Sequence, residues 1–500
     1  MIPTLPRPAP PAVDTPTTRH ATAPAVLAGL VVAASGVLAA ALMPRGPVTG
    51  TEVLALLIGA ALVGVLAGRL TRSRWMIIGA PALHLATWEL ARATIFELEG
   101  PSFDQPRFDV PLAVALFLTV HLMYGLLTGV PMVIGVLGGR ALARRRSVAA
   151  AASGAALLAV TAAGVLLVWP GRVAPVVAAD GTTVSGSVAA LEKVRLGGTP
   201  QWVSMRGSSA ANPVLLHLSG GPGSSDVGWV RTFNQPLEQR FTVAVWDQRG
   251  VGKSYPALDP TDRLTLDRLV ADGVELSAWL ARRFDEQKIY LTGNSWGSTL
   301  GVLMVQRRPD LFHAYVGTGQ MVSQRETDRL LYRQLLDYAE RTGNERLRDR
   351  LAVLGEPPYR DIFGYALVME YYDALEPYER VPAFETARGL QGFFPDEYSI
   401  LDTWNEVRGF ADMGGTLYPR LQHIDFRTDV PVLGVPVYFA QGRHELTARS
   451  TLADEWIARL RAPIKRTYVF EQSGHNPDAE EPGRFNELLM NTVLAETYRR

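Results

Sequence analysis

The 500-residue sequence predicts an α/β unit, with a mostly parallel sheet covered by helices, preceded by an all-α transmembrane bundle. Three observations carry this expectation. Five apolar stretches precede residue 171. From Val214 onward, short apolar runs each end in a glycine-rich turn. Segments of helical length separate those runs, the alternation expected of parallel strands buried on both faces. A chain this long exceeds one hydrophobic core, so at least two units are expected.

The apolar stretches are Pro24–Met43, Val53–Gly68, Trp75–Ile95, Val110–Leu137 and Val148–Trp169. A membrane-crossing helix needs about 20 residues, and runs such as Leu54–Ala67 have no polar face to turn to water. The reading is therefore a disordered tail over 1–23, a transmembrane region of about five helices over 24–170, and a second domain over 171–500. Arg69, Arg72 and Arg74 lie between the second and third stretches, and Arg140, Arg144, Arg145 and Arg146 between the fourth and fifth. The loop between the third and fourth is acidic, with Glu97, Glu99, Asp104 and Asp109. Positive residues stay cytoplasmic, which predicts a multi-pass protein of the cell membrane with a cytoplasmic N-terminus and an extracytoplasmic second domain. A cleaved leader ending near Ala39–Ala41 is the rival reading of the first stretch. Inside the third, Glu89 and Arg92 share a helix face at i,i+3 with His84 nearby, and a mutual ion pair is expected.

Composition excludes several functions. With 49 basic and 49 acidic residues the net charge is zero, and no basic face for nucleic acid is expected. Cysteine is absent, which removes disulfides, thiolate metal sites and a cysteine nucleophile.

The apolar run Lys288–Thr292 closes in Gly293-Asn294-Ser295-Trp296-Gly297 and is followed by the helical pattern Ser298–Gln306. This is the G-x-S-x-G elbow, in which a serine is held on a sharp strand-to-helix turn too crowded for side chains two positions away. Ser295 is the expected nucleophile. An oxyanion needs two converging N–H groups. Trp296 is expected to supply one, and Gly221, in the Ser219-Gly220-Gly221-Pro222-Gly223 turn after Val214–Leu218, the other.

Of eight histidines, His20, His84 and His121 belong to the membrane part, and His217 and His313 read as packing residues. His475, in Ser473-Gly474-His475-Asn476-Pro477 after the strand-like Arg466–Phe470, is the expected base. The strand Val435–Ala440 leads into Gln441-Gly442-Arg443-His444-Glu445, which makes Glu445 the acid in the chain order serine, acid, histidine. A zinc reading of His444-Glu445 fails because Ala448 stands where H-E-x-x-H needs a second histidine. No metal or other cofactor is expected.

Together with Asp247-Gln248-Arg249-Gly250-Val251-Gly252-Lys253-Ser254, these motifs resemble the proline iminopeptidase branch of the α/β-hydrolases, which are serine aminopeptidases. The resemblance runs from about Ala190 to the C-terminus. It implies an α/β-hydrolase fold with a helical cap, here about 321–428, and release of N-terminal residues from small peptides or amino-acyl substrates through an acyl-enzyme. Two departures stand out. Ser219 replaces the family's histidine before Gly-Gly-Pro-Gly, and the cap lacks the usual Trp-x-x-Trp-Glu context for the carboxylates that bind the substrate amine. Glu370 and Glu406, each in an aromatic setting, are the substrate-binding candidates. An esterase for apolar acyl esters and a non-catalytic binding or sensing ectodomain remain as alternatives.

Overall fold

The computed structural model describes residues 22–71, 73–95, 111–359, 363–382, 384–385, 392 and 394–498. The proline-rich tail, Arg72 and the acidic loop with Glu97, Glu99, Asp104 and Asp109 lie outside the described residues. The chain divides into two compact units, a helical bundle from the first third and a second unit that includes residues 165–500.

The bundle contains α1 (Thr22–Leu42), α2 (Gly50–Leu70), α3 (Met76–Thr94), α4 (Pro111–Ala143) and α5 (Ser147–Leu167). Among the described residues α1, α2, α4 and α5 are long and apolar enough to cross a membrane. All five expected stretches are helical, and α3, which carries His84, Glu89 and Arg92, is the least apolar of them.

Helices that are apolar on every side have no single face that selects a neighbour, so close packing and polar contacts must specify how they associate. The α2–α4 contact has the first. Gly64 and Gly68 face Gly135 and Gly139, and a Cβ added at any of the four would lie under 3.0 Å from a backbone carbonyl oxygen of the opposite helix. Between α1, α3 and α4 runs a polar chain: Ser35 Oγ lies 2.9 Å from His84 Nδ1, and His84 Nε2 lies 3.1 Å from Tyr124 Oη. Trp88 stacks on Tyr124 with centroids 4.0 Å apart. Glu89 and Arg92 form the expected pair at 2.8 Å, with the guanidinium over the Trp88 ring.

The second unit is built on one eight-stranded sheet in the order β1-β2-β4-β3-β5-β6-β7-β8. The strands are β1 (Val188–Leu196), β2 (Thr199–Gly207), β3 (Val214–Leu218), β4 (Thr242–Asp247), β5 (Ile289–Asn294), β6 (Phe312–Thr318), β7 (Val437–Gly442) and β8 (Lys465–Phe470). β1, β2 and β4 pair antiparallel, and every pair from β4 through β3 to β8 is parallel. β3, β4 and β5 are buried along their whole length, as strands covered on both faces must be. The helices α6 (Val227–Phe233), α7 (Leu266–Arg283) and α8 (Trp296–Arg307) connect the early strands. Between β6 and β7 the chain leaves the sheet for α9 (Gln324–Thr342), α10 (Glu345–Leu354), α11 (Phe363–Glu370), α12 (Tyr372–Leu375) and α13 (Ile400–Leu421), and α14 (Thr447–Arg459) follows β7. After β3 the chain passes to β4 on one side and then to β5 on the other. Such a switch point opens a crevice at the C-terminal strand ends, where ligands bind in sheets of this kind.

Replacing Gly64 or Gly139 by leucine is expected to lower the stability of the bundle by about 1–3 kcal/mol, the scale of overpacking a close contact. Thermal unfolding of the full chain in detergent measures this, with Gly59→Leu, where no neighbour lies within 4 Å, expected to be neutral.

Candidate active site

The β5–α8 turn sets Ser295 at φ 51° and ψ −117°, a strained conformation for a residue with a side chain. Its glycine neighbours make the turn possible. A Cβ on Gly297 would lie under 3.0 Å from the Leu218 and Ser219 carbonyl oxygens, and one on Gly293 would strike the Gly297 carbonyl. The Ser295 amide donates to the Thr318 carbonyl at 3.1 Å, fastening the elbow to the end of β6. Ser295 is half-buried and sits at the N-terminus of α8. There the first N–H groups, Trp296's among them, have no intrahelical acceptor, and the helix dipole favours an anion.

The glycine turn after β3 lies beside the elbow, since a Cβ on Gly220 would rest 3.5 Å from Ser295 Cβ. Gly221 has φ 112° and is exposed, so its backbone is open to a ligand. The turn is held from below. Gln248 Nε2 donates to the Ser219 carbonyl at 3.3 Å, while Gln248 Oε1 accepts from the Trp296 indole at 2.9 Å. One side chain thus braces both turns that were expected to form the oxyanion hole. Ser219, the departure from the family pattern, accepts the Asp226 amide on its Oγ at 3.0 Å.

His475 Nδ1 and Glu445 Oε2 are 2.5 Å apart. That contact engages Nδ1, and not Nε2, with the carboxylate. The loop carrying His475 meets the elbow, because Asn294 Nδ2 donates to the His475 carbonyl at 3.3 Å, and the imidazole packs against Gly319, next to the Thr318 that holds Ser295. Ser295, Trp296, Gly221, Glu445 and His475 therefore gather at the C-terminal ends of the parallel strands. Burial opposes ionisation of Glu445, but the facing charges of His475 and Arg449 outweigh it and bring the carboxyl down to about 2.

Residues 213–482 match the family model of the α/β-hydrolase fold. The chain belongs to that family. Over 307 residues it is 31% identical to a Bacillus subtilis protein named "Probable aminopeptidase", covering 61% of this chain and 96% of that one. It is 24% identical over 303 residues to a proline iminopeptidase of Heyndrickxia coagulans, covering 59% and 94% of the two chains. With a Leptolyngbya boryana protein named "Probable proline iminopeptidase" the identity is 35% over 289 residues, covering 54% and 83%.

The hydrolase places the two cap candidates differently. Glu370 ends α11 on the cap surface, where Arg350 grips it with two hydrogen bonds of 2.7 Å; with its side chain 52% exposed, it is spent on an ion pair. Glu406 lies on α13 and is 5% exposed, accepting from the Ser225 amide at 3.3 Å. Ser225 Oγ in turn donates to Asp247 Oδ1 at 2.8 Å. Burial, reinforced by the Asp247 charge, pushes Glu406 well above the usual carboxylate range. α13 crosses close to the glycine turn, since Gly223 has no room for a Cβ against Gly409 and Phe410.

Several supports of the site escaped the sequence reading. Glu480, 1% exposed, accepts from the Gly474 and Asn476 amides at 3.0 Å and from Tyr378 Oη at 2.6 Å, clamping the loop on both sides of His475. Its only sequence signal is an acid five residues after the histidine. His217, read as packing, is buried and pairs with Asp226 Oδ2 at 2.7 Å. Burial works against its charged form, but the Asp226 carboxylate prevails and raises it. His313 does pack, stacked on Tyr290 at 5.0 Å.

Burial also raises Asp247, Asp328 and Asp478, each to about 6. Between their ordinary value of 3.8 and about 6 the native state holds protons that the unfolded chain has released, so stability falls as pH rises through this window. Glu406, Glu238 and His217 are also raised and act in the same direction, while His313, lowered by burial to about 4, opposes it. The melting temperature of the hydrolase unit in the full chain is expected to be higher at pH 5 than at pH 7.5, as a calorimetric or fluorescence melt at the two pH values tests.

Proposed function

We propose that this chain is a membrane-anchored aminopeptidase of proline iminopeptidase type, releasing N-terminal residues from short peptides through an acyl-enzyme. The observation that carries the reading is the 2.5 Å Glu445–His475 contact beside the strained Ser295 elbow, in a chain whose similar relatives are named as a probable aminopeptidase and a proline iminopeptidase. In this reading Ser295 Oγ attacks the scissile carbonyl carbon as His475 Nε2 takes its proton. The Gly221 and Trp296 amides hold the oxyanion. The imidazolium, stabilised by Glu445, then protonates the departing amine as the C–N bond breaks, and water releases the acyl group by the same steps in reverse roles.

Glu406 is the candidate partner for the substrate's free ammonium. It lies buried beside a second carboxyl, Asp247, and close to the glycine turn. An arriving cation relieves the repulsion between the two and lets Glu406 ionise. Glu370 has no such role here, being held by Arg350. An esterase reading draws on Phe410, 49% exposed next to the glycine turn, which offers apolar surface to an acyl group.

Amino-acyl anilides, proline among them, assayed beside short-chain nitrophenyl esters with the full chain, test the reading. Expected are anilide turnover that requires a free amine, its loss in Ser295→Ala by at least about 10³-fold, and in Glu406→Gln a raised KM for free-amine substrates only. Ester turnover alone supports the esterase, and no turnover by folded protein supports the binding ectodomain.

We further propose that the arginine-bearing connections Arg69–Arg74 and Arg140–Arg146 are cytoplasmic and the hydrolase unit extracytoplasmic. Because the chain has no cysteine, single-cysteine variants read this directly. Asp180→Cys is expected to react with a membrane-impermeant maleimide in intact cells and Arg145→Cys only after lysis; the opposite pattern reverses the topology.

A further inference from the structure

We propose that Arg449 is a positioning residue for the acid–base pair, holding the Glu445 carboxylate in register with His475 and tying it to the helical cap. This inference rests on the serine-hydrolase reading above. Glu445 uses one oxygen for His475, and the other accepts from the Leu446 amide at 2.9 Å and from Arg449 Nη1 at 3.2 Å. A glutamate has one more rotatable bond than an aspartate, so its carboxylate needs a second anchor to stay in one orientation. Arg449 stands one turn along, at i+4, on α14. Its guanidinium is 5% exposed, and its other amino group, Nη2, donates to Tyr365 Oη of α11. The plane lies 6.0 Å from the Tyr365 ring and 5.9 Å from the Tyr372 ring of α12, within cation–π range. The cap thus fixes the arginine, the arginine fixes the acid, and the acid orients the base. The cap also reaches the base loop directly, through Tyr378 on Glu480.

The groups facing Glu445 and Arg449 are few. His475, Tyr365 and Tyr372 touch the pair, Asp328 acts on Arg449 from α9 at longer range, and Glu480 lies across the His475 loop. Burial works against the Glu445 charge, and the His475 and Arg449 charges together hold the carboxyl below the usual carboxylate range. Removing the arginine charge therefore favours the protonated base and delays its release of the proton to higher pH.

The test reads Ser295 reactivity without assuming a peptide or ester substrate. The second-order rate of labelling by a fluorophosphonate is measured against pH on the full chain in detergent, for wild type, Arg449→Met, Arg449→Lys and Ser295→Ala. In Arg449→Met the acid limb is expected to move up by about one pH unit, with a roughly tenfold slower rate below the limb, the equivalent of that shift. Arg449→Lys, which keeps the charge, is expected to return the limb to its wild-type position. A limb unmoved in folded Arg449→Met, or moved equally in Arg449→Lys, overturns the inference while leaving the serine-hydrolase reading intact. If Arg449→Met does not fold, the lysine variant and Tyr365→Phe decide: the limb is expected to stay in place in both, with slower labelling in Tyr365→Phe, and wild-type labelling at every pH in both variants overturns the inference. Wild type that is not labelled at Ser295 overturns the underlying reading and this inference with it.

Discussion

The left-handed backbone at Ser295 is the constraint on which the second unit depends. Such a conformation costs on the order of 1–3 kcal/mol and persists only where its surroundings over-determine it. Here the surroundings are backbone: Gly297 against the end of β3, Gly293 against Gly297, and the Ser295 amide on the Thr318 carbonyl of β6. These contacts require β3, β5 and β6 to run parallel and in register, and that in turn needs strands buried on both faces. The chain order β4-β3-β5 around the elbow then brings the glycine turn after β3 alongside it.

Around that rigid centre the site is assembled from loops, and buried polar side chains hold each loop. Gln248 spans the two turns beside Ser295, Glu480 clamps the His475 loop, and Asp247 holds Ser225 and Tyr398. A buried polar group is costly unless partnered, so each of these networks has one low-energy arrangement and gives its loop one conformation. The cap takes part through Tyr365, Tyr378, Tyr398 and Glu406, so it is joined to the C-terminal end of the sheet by hydrogen bonds as well as by coverage.

The helical bundle solves a different problem. α2 and α4 meet along paired glycines where backbones approach without side chains between them. The Ser35–His84–Tyr124 chain links three helices through polar atoms whose partners are fixed. Both devices specify one arrangement of helices that apolar side chains alone would leave degenerate.

Whatever depends on local chemistry was legible in the sequence. The apolar stretches, the elbow at Ser295, the glycine turn at Gly221 and the loop positions of Glu445 and His475 all follow from residue type, spacing and flanking turns. α3 is the least apolar of the five helices because it carries His84, Glu89 and Arg92. What the sequence could not disclose are contacts between residues far apart in the chain. Glu370 and Glu406 looked alike as acids among aromatic residues, yet one is forked by Arg350 on the surface and the other is buried against Ser225. Glu480, His217 and Arg449 carry no motif at all, and only the folding of loops onto one strand end gave them partners. The sequence alone determined which groups can do chemistry, because a strained turn or a basic ring is a property of a few adjacent residues. Tertiary structure alone decided which side chains hold those groups in place, because burial and pairing are properties of position in space.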